Sequence, residues 1–317
     1  MKLLISFFLF FFSFVNADTF HQPQAYFLAS GGVSDMVVAK GKLYVATDAS
    51  CVDVFQVKNQ KKITTINLDK IVDFMGDIVD TKVFSVDVNS KKMMILSQGL
   101  DGYSRVYIYE KKKLKLLIDE KKHLAIIKAK FLSESTLILA LLSDEIISYD
   151  IQKQQQNYRV DSSASKFSDF VLKEDKSQVI VADESGDLQV LDTQSGKHLQ
   201  TLSGKNLDDV FGVDYKNGII ATAGKDRRVV IYNQKNASAY YKSSSFFIYS
   251  VGLSPSGNIV AYSSDVKNNI TLFNTHTKST IKKFGGNKSP LSKILFLNEK
   301  EFLVASSRKK INFYRID

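Results

Sequence analysis

The chain has 317 residues, 44% hydrophobic and 24% charged, a balance that suits a packed globular domain rather than a disordered one. Its formal net charge is +10, and its one cysteine, Cys51, excludes an internal disulfide, so stability must come from the core. No Cys-x-x-Cys-His sequence occurs, which excludes attachment of a c-type haem.

The first segment has the form of an export signal. Lys2 supplies a positive start, Leu3 to Val15 is almost wholly apolar, and Val15-Asn16-Ala17 places small residues where signal peptidase cuts. Cleavage is expected between Ala17 and Asp18. An apolar run of this length falls short of the roughly 20 residues needed to span a bilayer. No later stretch is long and apolar enough to cross one, so no integral membrane span is expected after signal removal. The expected location is the periplasm.

From residue 18 to 317 the chain reads as one domain. Seven segments echo one another, each an apolar run ending in an aromatic residue or leucine. Their ends fall at Phe55, Tyr109, Tyr149, Leu191, Tyr232, Phe273 and Tyr314, in steps of 54, 40, 42, 41, 41 and 41 residues. A period near 41 built from strands predicts an all-β, seven-bladed β-propeller. Each echo is the third strand (c) of a four-stranded blade. Second strands (b) are predicted at Lys42–Thr47, Met93–Ser97, Thr136–Leu142, Gln178–Ala182, Ile219–Ala223, Ile259–Ser263 and Phe302–Ser306. Inner strands (a) include Phe211–Tyr215, Ile248–Leu253 and Leu291–Leu297. More polar outer strands (d) include Lys62–Leu68, Leu114–Ile118, His198–Leu202 and Thr280–Phe284. The turns agree with these boundaries: Lys216-Asn217-Gly218 and Ser254-Pro255-Ser256-Gly257 suit tight a–b connections.

Two irregularities carry information. The first step is about 13 residues too long, and the surplus lies in Asp69 to Lys82 or in the turn Gly99-Leu100-Asp101-Gly102. Either insertion would project from the face that propellers most often use for binding. The last repeat is incomplete, because only three residues follow Tyr314, while Gln24 to Leu28 has no blade of its own. The N-terminal strand is therefore expected to complete the last blade and close the ring.

Candidate chemistry is sparse. His21, His123, His198 and His276 are dispersed, with no pair at metal-ligand spacing, and no metal or cofactor is expected. Cys51 opens a c strand near the binding face, yet no histidine lies close in sequence, and a buried structural thiol is the plainer reading. Asp48, Asp144, Asp183, Asp226 and Asp265 fall in b–c turns, where turn chemistry alone favours aspartate. Of these, Asp48, Asp183, Asp226 and Asp265, with Cys51, Asp101, Lys225, Arg227 and Arg308, make up the candidate interaction face. The same Asp rim supports an alternative in which the central channel binds or hydrolyses a small molecule. Lysine pairs such as Lys91-Lys92 and Lys309-Lys310 fall mostly in turns, without the interleaved aromatics and single basic face of a nucleic-acid binder, so no nucleic acid is expected.

The segment Ala182-Asp183-Glu184-Ser185-Gly186-Asp187-Leu188-Gln189-Val190-Leu191-Asp192 resembles a WD40-type blade, as does Gly224-Lys225-Asp226-Arg227-Arg228-Val229-Val230-Ile231-Tyr232-Asn233, with Tyr-Asn in place of Trp-Asp. The chain departs from that family in having no Trp and no Gly-His pair in a d–a loop. The family's Asp-His-Ser-Trp hydrogen-bonded tetrad is therefore missing, and apolar contact alone is expected to pack the blades. In overall character the chain is similar to the L accessory-protein family (NapL) encoded with the periplasmic nitrate reductases (Nap) of ε-proteobacteria. That resemblance implies a non-catalytic role in the maturation or electron transfer of nitrate respiration. Other periplasmic proteins, among them nitrate reductase subunits, would be the partners.

Overall fold

The computed structural model describes residues 19–317, so the expected cleavage site at Ala17 and Asp18 lies outside the described residues. Among these residues, helix is confined to two single turns, Val57–Asn59 and Glu120–Lys122. Strands make up seven four-stranded antiparallel sheets. Blades 1 to 6 span 33–67, 83–118, 126–161, 167–202, 210–243 and 251–284. Blade 7 takes three strands from 291–315 and its fourth from Ala25–Leu28.

Most b and c strands are buried at nearly every position, as in Thr136–Leu141 and Ile270–Asn274. A sheet sandwiched between neighbours buries both faces, so strict alternation is not required there. The outer strands alternate or are polar, as in Gln155–Asp161. One apolar cluster fills each of the seven interfaces between adjacent blades.

Closure follows the expectation from the orphan N-terminal segment. Ala25 pairs with Phe313 and Leu28 with Lys310 in antiparallel register. Phe27 is fully buried and meets Phe55 edge to face at 5.5 Å, whereas Tyr26 and Leu28 point outward. Phe27 thereby joins blade 7 residues Leu303 and Ile311 to blade 1 residues Val33, Leu43 and Val45 in one cluster.

Six of the seven inner strands carry a register irregularity at the same place, after Val33, Val83, Ile126, Phe167, Val210 and Leu291. A bulge re-aims the residues that follow it. Here it brings Asp35, Ser85, Lys128, Asp169, Gly212 and Lys293 to equivalent positions on the wall of the central channel. The inner strand of blade 6 is shorter than expected, Val251–Leu253, because the aromatic segment before it leaves the sheet. It also passes so near blade 7 that a Cβ on Gly252 would lie 2.7 Å from the Ile294 carbonyl oxygen.

The expectation that apolar contact alone packs the blades is corrected. Inner-strand carboxylates reach across interfaces to accept hydrogen bonds from the next blade. Asp35 accepts from the Val86 amide at 3.2 Å and the Ser85 hydroxyl at 2.9 Å. Asp87 accepts from the Phe131 amide at 2.8 Å, Asp169 from Val213 at 3.0 Å, and Asp214 from Leu253 at 2.8 Å. Inside blade 5, Thr222 Oγ1 donates to Asn206 Oδ1 at 2.8 Å and Asn206 Nδ2 donates to Tyr232 Oη at 3.2 Å. An Asn–Thr–Tyr relay thus ties the d–a loop to the b and c strands without histidine or tryptophan.

Candidate functional site

The extra length after Phe55 lies mostly in the d–a connection 68–82, which no other blade matches; the five-residue b–c turn 99–103 adds a little more. Within 68–82, Ile71–Val72 pairs with Ile78–Val79 to make a small hairpin. Its turn is set by Asp73, whose Oδ1 accepts from the amides of Met75 at 2.9 Å and Asp77 at 3.0 Å, while Gly76 takes φ +89°. The base is anchored to blade 1. Ser50 Oγ donates to Asp80 Oδ1 at 3.0 Å and accepts from the Thr81 amide at 2.8 Å. Lys70 and Ser50 together hold the Asp80 carboxyl below its ordinary range.

A firm base and an ordered turn hold the tip away from the ring. Phe74 is 97% exposed, and Met75, Ile78 and Val72 are exposed with it. Isolated exposed apolar residues are ordinary, but four on one short hairpin make a patch of the kind that marks an interaction site. The sequence expectation located this insertion but named only Asp101 near it. The missed cue was Phe74-Met75 at a turn between Asp73 and Asp77, a place where turn chemistry calls for polar residues.

The b–c turns share this end of the ring with the d–a connections, since every strand reverses direction within a blade. Most of their carboxylates serve their own surroundings. Asp48 accepts from the Gly32 amide at 2.7 Å, and Asp226 from the Leu207 and Arg228 amides at 2.9 Å each. Asp265 accepts from the Lys267 amide at 2.9 Å and from Asn269 Nδ2 at 2.8 Å. Asp183 is fully buried, accepting from Ser163 Oγ and the Ser185 amide, each at 2.7 Å. Asp144, in the preceding blade, is also fully buried and neither oxygen has a partner; burial, with the nearby Asp183 charge adding to it, pushes its carboxyl up to about 7. Cys51 is buried with Sγ 3.2 Å from Thr47 Oγ1, so its thiol is not offered to a docking partner. Asp101, Lys225, Arg227 and Arg308 are exposed, and Lys225 approaches Asp208 at 3.5 Å.

The channel encloses about 530 Å³ and is walled by all seven inner strands. Its charges are largely paired. Lys130 reaches Asp35 at 3.1 Å and the Val86 carbonyl at 2.9 Å, and Lys128 pairs with Asp169 while donating to the Phe170 carbonyl at 2.7 Å. Burial would raise Asp35, but Lys130, Lys293 and Lys128 hold it well below the usual carboxylate range. Burial would likewise lower Lys293, but Asp35, Asp169 and Asp214 keep it above its ordinary value. Among the described residues, no group of three or more His, Cys, Asp or Glu is arranged to hold a metal ion, and no helix is long and apolar enough to cross a membrane.

The architecture is a closed seven-bladed β-propeller that carries one protruding apolar hairpin on its b–c face. A chain from the crystal structure of a mitotic checkpoint complex is similar to it over 100% of this chain and 98% of the other, with a TM-score of 0.74 and 13% identity. At that identity the likeness shows the fold alone, and 1814 solved chains share it, so the fold does not select a function. No family model matches the chain, and no curated protein matches it in sequence.

Proposed function

We propose that this protein is an exported, non-catalytic docking platform that grips a partner protein through the hairpin 71–79. The observation that carries this reading is the anchored hairpin holding Phe74, Met75 and Ile78 in water. Bulky apolar side chains on a pre-ordered turn suit the anchor role in an interface, because little conformational freedom remains to be lost on binding. A propeller fold suits protein interaction in general. The apolar N-terminal run supports export, and the resemblance to the accessory family supports partners among the subunits of a periplasmic nitrate reductase.

The test is chemical cross-linking in the periplasm of cells carrying the native chain or the Phe74→Ser/Met75→Ser variant. The native chain should cross-link to reductase subunits, and the variant should lose those cross-links while keeping its Tm. Cross-links that persist in the variant would overturn the hairpin's role, and a native chain that stays in the cytoplasm would overturn export.

A further inference from the structure

A second surface lies at the opposite end of the interface between blades 1 and 2. The outer strand of blade 1, Lys62–Asn67, and the a–b turn 89–92 of blade 2 diverge there and leave a pocket of about 230 Å³. Its lining includes Tyr44, Val54, Ile66, Met93 and Tyr109, with the 47% exposed Ile63 beside them. Five lysines share that lining, Lys40, Lys42, Lys91, Lys92 and Lys111, with Glu110 as its one carboxylate.

Little of this positive charge is neutralised directly. Lys40 donates to the Ser90 carbonyl at 2.8 Å and Lys92 to the Glu134 carbonyl at 3.4 Å. The Glu134 carboxylate is engaged by Ser90 Oγ at 2.7 Å and feels Lys91 and Lys92 only through space. The ammonium groups of Lys42, Lys91 and Lys111 make no hydrogen bond or ion pair among the described residues. Crowded like charges repel one another, and an anionic occupant relieves that repulsion. The apolar lining adds a second demand that a free inorganic anion does not meet, and the volume suits one bulky side chain.

We propose that this pocket docks an acidic segment of a partner protein, with one large apolar side chain seated among Tyr44, Ile66, Met93 and Tyr109 and flanking carboxylates reaching Lys42, Lys91 and Lys111. The inference rests on the docking-platform reading but uses a different end of the molecule, so the two fail separately. The charge pattern gives selectivity and salt sensitivity, and the apolar contact supplies the anchor.

The probe is a fluorescein-labelled synthetic hexapeptide, Asp-Asp-Phe-Leu-Asp-Asp, titrated into the purified protein and followed by anisotropy. Saturable binding should weaken by about tenfold when salt rises from low to moderate ionic strength, as screening predicts. Replacing Phe-Leu by Ser-Ser in the probe should weaken it by about tenfold, roughly 1.4 kcal/mol. The exposed-site variants Lys91→Glu/Lys111→Glu and Ile63→Asp should each cause a similar loss at unchanged Tm, and the hairpin variant Phe74→Ser should bind normally. No saturable binding, equal binding of the Ser-Ser probe, or binding retained by the pocket variants would overturn the proposal. Loss of binding in the Phe74→Ser variant would do so too, because the occupied surface would then be the hairpin.

Discussion

Asp144 holds a carboxyl with no hydrogen-bond partner in a fully buried turn, beside the equally buried Asp183. Burial is the main reason its carboxyl titrates near 7, and the Asp183 charge adds to it. In the unfolded chain the same group titrates near the ordinary aspartate value of 3.8. Between these values the native state keeps a proton that the unfolded state has released. Stability from this group is therefore full below pH 4 and falls as pH rises, until it is lost above pH 7. The size is at most about 4 kcal/mol, from roughly three units at 1.36 kcal/mol each. The Asp144→Asn variant removes the ionisation and tolerates φ +64° there. Thermal unfolding followed by circular dichroism at pH 5 and pH 8 should show a smaller Tm difference for the variant than for the native chain. An unchanged difference would mean that Asp144 is ionised and solvated in the native state.

At the scale of single strands, the closing segment shows how unequally neighbouring residues share a role. Phe27 is buried in the cluster between blades 7 and 1, while Tyr26 and Leu28 are more than half exposed. Phe27→Ala should cost about 3–5 kcal/mol through lost burial and the cavity left behind. Tyr26→Ala and Leu28→Ala should each cost about 1 kcal/mol or less, with Tyr26 losing a contact to the Lys310 ammonium. Urea midpoints of the three variants check the ranking, and equal losses would mean that backbone pairing rather than Phe27 closes the ring. The strand itself was legible in the sequence, because a last repeat ending three residues after Tyr314 leaves a blade short of one strand. The hairpin's place was legible too, from one long step in a regular series. The inter-blade carboxylates were not. Asp35, Asp87, Asp169 and Asp214 look like ordinary polar positions of alternating strands, and their partners lie about 40 or more residues away. The Asn206–Thr222–Tyr232 relay was hidden for the same reason, since its members sit on three separate elements. Cys51 was read as structural from its surroundings in sequence, and its burial agrees, although its position at the start of a c strand had also placed it on the candidate face.

The whole ring stands or falls on a strand borrowed from the far end of the chain. Without residues 24–28, the c strand Lys310–Arg315 keeps an open edge, and the apolar cluster between blades 7 and 1 loses Phe27. An unpaired edge is a template for pairing with another chain, so deletion should produce both a lower urea midpoint and self-association in sedimentation velocity. The antiparallel register suggests a way to separate the strand's presence from its covalent connection. Gln24 already lies against the end of the c strand, where its amide donates to the Phe313 carbonyl at 3.0 Å and its side-chain oxygen accepts from the Arg315 amide at 2.8 Å. A permuted chain that starts at Ala29 and runs through Asp317 into a short Gly-Ser linker and then residues 24–28 supplies the same strand as an ordinary c–d hairpin. Ser30 keeps its hydrogen bonds to Asp53 in that chain, with the amide at 2.6 Å and the hydroxyl at 3.0 Å, so blade 1 is left intact. The permuted chain should unfold in one transition near the native urea midpoint and sediment as the native chain does. If it were as unstable as the deletion, the tether from Leu28 into blade 1, rather than strand pairing in blade 7, would be what holds the ring closed.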